Sequence, residues 1–295
     1  MRSALAAEWR KLLGHTKAVS FLVWIYPIGA LMIVLLIEIL PGLLIETVRE
    51  MMVASPIDWT EELLSVWSAM NGFPGGTFLR MPFIAFIAIA FAGEYQWGTW
   101  KNIVPRHART TLILAKFLVL GLLILLALLL TSLVVAGGGG LKAVLLDIPI
   151  GPALAEVAWA PFLQGVAVQV FVTFMNTLIV AAYAALIAMY SRSIVASLLL
   201  SVGVGIVEFA ASLLLLIVSQ ALQRPNLVNL IVATPTYNLD NVRSWVVEGV
   251  GSSFGGFPGF TAVPPLWASL LILFVWLVGL FGGTAVLFRR QDISS

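Results

Sequence analysis

Glu94 to Lys116, EYQWGTWKNIVPRHARTTLILAK, is the densest group of charged, aromatic and glycine residues beside an apolar run away from the N-terminus. Residues 94–105 read as a short helix. On it Trp97, Trp100 and Val104 fall three and four residues apart and share one apolar face. Pro105 stops that helix and pushes Val104 toward extended backbone. Arg106, His107 and Arg109 follow, and Thr110 or Thr111 can cap the next helix. A lipid-facing loop has no use for such a face. The chemistry it suits is mechanical: a rigid aromatic knob on which a soluble partner docks and pushes.

Glu208 is the second candidate, the clear ionisable residue inside an apolar run. It follows Ile194 by fourteen residues, which is about 21 Å up a straight helix and past the middle of a ~30 Å hydrocarbon core. A charge there costs roughly 2.5–3.5 kcal/mol. It must face a partner, a cavity or water, or stay protonated. Ser197, Ser201, Glu208, Ser212 and Ser219 recur at spacings of 4, 7, 4 and 7, with Gly205 on the same stripe. Close helix packing and a translocation path both explain a small, polar face. A second stripe holds Gln169, Thr173, Asn176 and Tyr183, with Thr177 beside it. Interhelical hydrogen bonding explains it most simply, and a ligand role is the alternative. Glu38, at the end of the first apolar run, can reach headgroups and needs no special role.

Other chemistry is missing. The chain has no cysteine, hence no disulfide or thiolate metal site. It has no glycine-rich loop ending in Lys-Ser or Lys-Thr, no HExxH pattern and no nucleophile elbow. His15 and His107 lack the spacing of a metal pair. No catalytic residue and no cofactor are expected on this chain, so the energy for active transport has to come from elsewhere.

The elements that must hold these residues follow from composition. The 295 residues are 61% hydrophobic and 10% charged, with a mean hydropathy of +1.05 and a formal charge of +2. A soluble surface needs far more charge, and the small net charge does not suggest nucleic acid. The chain reads as an all-α, polytopic membrane protein. Residues 1–17 carry an amphipathic interfacial helix, with Leu5, Trp9 and Leu12 on one stripe and Ser3 as its cap. One transmembrane domain, 18–295, holds six spans at about 18–40, 76–93, 111–136, 161–190, 194–219 and 265–288. The first run is too long for a usual signal h-region, and Tyr26-Pro27 inside it suggests a kink.

Six spans put both termini on one side, which collects eleven of the sixteen Lys and Arg residues. The termini are therefore expected in the cytoplasm, with the chain multi-pass in the plasma membrane. Segments 41–75, 137–160 and 220–264 lie outside. The first has room for a helix or two, with Asp58 or Thr60 as caps. The second begins with Gly137 to Gly140, read as a flexible end to the third span. In the third, Leu227 to Val232 is too short to span and can dip into the membrane and return.

The Glu94–Lys116 segment resembles that of type-2 ABC exporter permeases, especially the branch with lantibiotic-immunity and bacitracin-export permeases. That family carries a Glu, then Gly-Thr, Pro, Arg and Lys after its second span. Here they are Glu94, Gly98, Thr99, Pro105, Arg106 or Arg109, and Lys116. The N-terminal Ala7 to Leu22 is similar to the family's entry helix, and the patch before Pro235 to its re-entrant segment. The resemblance implies a permease subunit, a homodimer or paired permease among membrane lipids, with a separate cytoplasmic ATPase that binds ATP and Mg. It implies that residues 94–105 are a coupling helix, with Glu94, Lys101 and Arg106 as polar contacts or anchors. It places the path on the dimer axis, lined by the second and fifth spans. The cargo would be amphipathic or hydrophobic: a peptide antibiotic, drug or lipid-like molecule. A stand-alone secondary transporter or channel using Glu208 is the alternative.

Overall fold

The structure, a computed structural model, describes residues 5–10, 16–71, 79–100, 108–253 and 259–291. Residues 5–10 are helical (α1). Then come α2 (Thr16–Ile33), a π-helical segment (Val34–Ile39), α3 (Leu40–Leu44), α4 (Glu46–Val53), β1 (Ile57–Asp58) and α5 (Trp59–Asn71). They are followed by α6 (Met81–Gln96), α7 (Arg109–Leu146), β2 (Ile150–Gly151), α8 (Trp159–Ser191) and α9 (Ile194–Ala221). A 3-10 segment (Pro225–Ala233), α10 (Pro235–Val247) and α11 (Leu266–Arg290) complete the chain. α7 packs on α2 and α5, while α8 packs on α6, α9, α10 and α11. α6 lies between α8 and α9 with most of its side chains buried.

Among the described residues, five helices are long and apolar enough to cross a membrane: Val19–Leu44, α7, α8, α9 and α11. The expected second span, 76–93, corresponds to α6, an apolar helix of 16 residues. That is about 24 Å of rise, short of a ~30 Å core. The first long helix runs through Pro27 and continues past the expected end at residue 40.

The four glycines correct the sequence expectation. They do not end the third span flexibly; α7 continues through Gly137 to Gly140 and reaches Leu146, 38 residues in all. A β-carbon on Gly138 would stand 2.7 Å from Val34 Cγ1. The glycine therefore lets the π-helical segment lie directly against the α7 backbone. Close approach offsets a helix cost of about 1 kcal/mol per glycine relative to alanine.

At that end of the bundle β1 and β2 pair in parallel, Ile57 with Ile150 and Asp58 with Gly151. Asp58 also starts α5. Its Oδ1 accepts from the Thr60 N–H at 2.8 Å, the Thr60 hydroxyl at 2.6 Å and the Glu61 N–H at 3.3 Å. The slight burial of Asp58 acts to raise its pKa, but these hydrogen bonds outweigh it and hold the carboxyl below the usual range. Asp58→Ala should cost about 1 kcal/mol of α5, speeding amide exchange over residues 59–71 roughly fivefold. Because the folded value lies below the unfolded one, the Asp58 contribution is complete above about pH 4. It is lost as pH falls through the folded value. Asp58→Asn keeps the acceptor and should remove that acid dependence; equal acid sensitivity in both proteins would refute the assignment.

The 220–264 segment turns back against the bundle. The 3-10 segment packs on α9. Thr234 caps α10 by accepting from the Tyr237 N–H, with Pro235 in the first turn. The Thr236 hydroxyl then reaches Glu208, thirteen residues before the end of α9. The Trp276 indole, well inside α11, donates to the Ala233 carbonyl at 2.9 Å.

Candidate functional site

α6 ends at Gln96, and its last turn is closed by bonds from the next residues: Trp97 N–H to Gly93 at 2.8 Å and Thr99 N–H to Glu94 at 3.0 Å. Between them Gly98 takes a left-handed φ of +64°, a conformation that favours glycine. The chain thus makes a tight elbow at one end of the bundle.

Inside the elbow lies a buried ionic cluster. Lys116, two turns into α7, is fully buried and places its Nζ 2.7 Å from Glu94 Oε1 and 3.6 Å from Glu8 Oε2. It also donates to the Ala90 carbonyl at 2.8 Å. The Thr99 hydroxyl donates to the other oxygen of Glu94. The ammonium stands 5.4 Å from the Phe91 ring and 5.2 Å from the Trp100 ring, within cation–π range. One lysine thus ties α1, α6, α7 and the elbow together. Buried charges persist only when paired and hydrogen-bonded, and this one is.

A second layer fixes the neighbouring helix ends. Trp100 packs 4.5 Å from Phe288 and 6.0 Å from Tyr95, ring centre to ring centre. Arg109 donates to the carbonyls of Phe288, Arg289 and Gln291 at 2.6, 3.0 and 2.9 Å. It therefore satisfies acceptors that the end of α11 leaves open and places a cation at the negative pole of that helix. Tyr95 bonds Gln291 and the Met189 sulfur, and Gln291 donates to the Met189 carbonyl at 2.7 Å. The elbow is braced on the ends of α8 and α11 as well.

This arrangement corrects the expected shared face. Trp100 is only 1% exposed, whereas Trp97 is 53% exposed. Helical spacing does not apply, because the helix stops at Gln96 and the chain turns at Gly98. Lys101, Val104, Pro105 and Arg106 lie outside the described residues. Of the segment's polar residues, Glu94, Thr99 and Lys116 come together, while Arg109 goes to α11.

The family model described as ABC-2 family transporter protein matches residues 5–164, more than half of the chain and all of the ionic cluster. The chain belongs to the ABC-2 transporter family. No curated protein matches it. As a member of that family it is a multi-pass membrane permease component of an ABC transporter, and such components pair with an ABC ATPase. The match ends in the second turn of α8, so Glu208, Phe288 and Gln291 stand outside it.

The polar stripe of α9 turns toward its own chain. Ser197 and Ser201 are buried, and their hydroxyls have no hydrogen-bond partner among the described residues. Ser201, Gly205 and Glu208 line a cavity of about 30 Å³ with Arg80 just before α6, Ile84 of α6 and Tyr183 of α8. Thr236 donates to Glu208 Oε1 at 2.7 Å, and the Ser212 hydroxyl to the Glu208 carbonyl at 3.1 Å. The outward face of α9 is apolar, with Val195, Leu199, Val207 and Leu214 exposed.

The α8 stripe bonds to α5. Gln169 donates to Ser68 at 3.2 Å, and Asn71 donates to Thr173 at 2.8 Å. Asn176 donates to Asn71 at 3.1 Å. A polar cavity of about 100 Å³ lies beside Gln169 and Asn176, closed by Asp240 and Arg243 of α10. Glu8, Phe288 and Gln291 escaped sequence reasoning. The usable signal was Lys116, a cation inside an apolar run that demands a counter-ion.

Proposed function

We propose that this permease is the transmembrane subunit of an ABC exporter, with the 94–105 elbow seated on a cytoplasmic ATPase. The observation that carries the proposal is the exposed Trp97 turn backed directly by the Glu94–Lys116–Glu8 cluster. Force delivered at the turn has a stiff route into α1, α6 and α7. Glu94, Trp97, Gly98, Thr99 and Trp100 form the elbow; Lys101, Val104, Pro105 and Arg106, outside the described residues, are the further contacts with the ATPase in this proposal. Trp97 contacts the ATPase; Trp100 positions the turn from behind.

In this reading α6 is the second of six spans, and a domain of residues 18–295 follows an interfacial helix at 1–17. The bond from Thr236 to Glu208 supports a re-entrant 220–264 segment. Both termini and the elbow face the cytoplasm across the plasma membrane. The permease works as a homodimer or paired permease, and ATP and Mg bind the ATPase. The cargo is amphipathic or hydrophobic. The branch with lantibiotic-immunity and bacitracin-export permeases fits the Glu94–Lys116 motif.

Co-expression with an ABC ATPase from the same genome tests this reading. The two chains should co-purify and hydrolyse ATP, and the permease alone should bind none. Uptake into liposomes driven by an ion gradient, with no ATPase present, would overturn it in favour of a Glu208-dependent secondary transporter.

A further inference from the structure

At the end of the bundle away from the elbow, a cavity of about 500 Å³ opens between α2, α5, α6 and α7. This is within the ~300–1,000 Å³ span of small-molecule sites. Its wall is mostly aliphatic, with Gly29 and Ile33 of α2, Met70 of α5 and Leu128 of α7 among its residues. The wall hydroxyls are already committed to backbone carbonyls: Tyr26 to Leu79, Ser65 to Glu62 and Thr131 to Ala127. Among the described residues, the ionisable groups left to meet a polar ligand are the carboxylates of Glu38 and Glu62.

These two carboxylates share one cation. Lys142 sits 3.0 Å from Glu38, and no hydrogen bond to the Glu62 carboxylate is found among the described residues. Burial pushes the Glu62 carboxyl up; Lys142 opposes this, and Glu38 and Glu61 reinforce it. With Glu62 ionised, Glu38, Glu62 and Lys142 sum to one net negative charge in a half-buried, apolar setting, where an unmatched charge is costly. Its wall is also irregular in a way common at functional sites: Val34 and Glu38 belong to the π-helical segment. Gly138 lets that segment sit against α7, and Gly139 would place a β-carbon 3.5 Å from the Glu62 side chain.

We propose that this cavity binds a cationic amphiphile, with its alkyl chain among the aliphatic wall residues and its ammonium between Glu38 and Glu62. The charge selects the occupant. A neutral chain leaves Glu62 unmatched, and an anionic headgroup adds repulsion. The site deepens the amphipathic-cargo reading but does not depend on it, since binding here requires no ATPase. Loss of binding would leave the elbow's association with an ATPase untouched.

A photoreactive dodecylamine carrying a diazirine on its chain tests the proposal. The permease is placed in nanodiscs of neutral phosphatidylcholine, and labelling of residues 25–38 and 128–135 is normalised to labelling of the exposed face of α9. The amine should label these segments at least about tenfold more than the dodecanol analogue, the ratio that 1.4 kcal/mol provides. Glu62→Gln and Glu38→Gln should each lower amine labelling severalfold and leave the alcohol unchanged. Gly29→Leu should block both probes. A β-carbon at Gly29 meets nothing within 4 Å, and leucine favours the helix more than glycine, so this variant folds. Equal labelling by amine and alcohol would overturn the proposal and leave a groove for lipid tails. So would amine labelling that persists in both glutamine variants.

Discussion

Lys116→Met is expected to destabilise the purified permease by about 3–5 kcal/mol, the cost of breaking a buried ion pair from one side. The Lys116 ammonium is fully buried and serves two carboxylates, Glu94 at 2.7 Å and Glu8 at 3.6 Å. Methionine fills a similar volume, so the loss is electrostatic rather than a cavity. The same reasoning makes a sharper demand. The triple variant Glu8→Gln, Glu94→Gln, Lys116→Met removes together the three charges that the cluster has among the described residues. Replacing a whole buried ionic group is often neutral, or stabilising by about 1–4 kcal/mol. The triple variant should therefore melt near the wild-type temperature, while Lys116→Met melts well below it. Thermal unfolding in detergent, followed by tryptophan fluorescence, reads both. Lys116→Met melting with the wild type would show that the cluster bears no structural weight. If the cluster also passes force from the elbow into the helices, the triple variant will fold yet support little ATP-driven transport.

The sequence made the membrane-crossing helices legible because their signal is local. An apolar run of sufficient length needs no knowledge of its neighbours, and α7, α8, α9 and α11 lie within a few residues of their expected starts. Caps are local too, so Asp58 was available as a start for α5. The errors share a different cause. Gly137 to Gly140 read as a weak helix end because glycine costs helix stability. The value of Gly138 among them lies in the close approach of Val34, more than a hundred residues earlier in the chain. Trp97 and Trp100 appeared to share a face because spacing was counted along a helix that in fact ends at Gln96. Glu8 was invisible as a partner for Lys116, 108 positions away, since nothing near either residue encodes the meeting. The serine stripe of α9 was legible as a stripe. Which neighbour it faces was not, because helical periodicity fixes a face and says nothing of what lies opposite.

The two elbow tryptophans should separate cleanly under mutation. Trp100→Ala is expected to cost about 3–5 kcal/mol, as large-to-small changes at buried tryptophans do. It removes a ring that packs on Phe288 and Tyr95 and faces the Lys116 ammonium. Trp100→Phe keeps an aromatic ring there and should recover most of that loss. Trp97→Ala removes a half-exposed ring and should change stability by no more than about 0.5 kcal/mol. In the coupling proposal its effect falls on association instead. An exposed tryptophan at the centre of a docking surface can contribute about 2 kcal/mol or more to binding, roughly a thirtyfold change in Kd. Melting temperature and ATPase affinity, measured on the same three variants, should therefore change independently of each other. Trp97→Ala with unchanged ATPase affinity would remove Trp97 from the docking surface. Trp100→Ala with an unchanged melting temperature would contradict its place in the core. A reversed pattern, with Trp100→Ala stable but unable to hold the ATPase, would mean that the elbow opens to expose this ring when the motor binds.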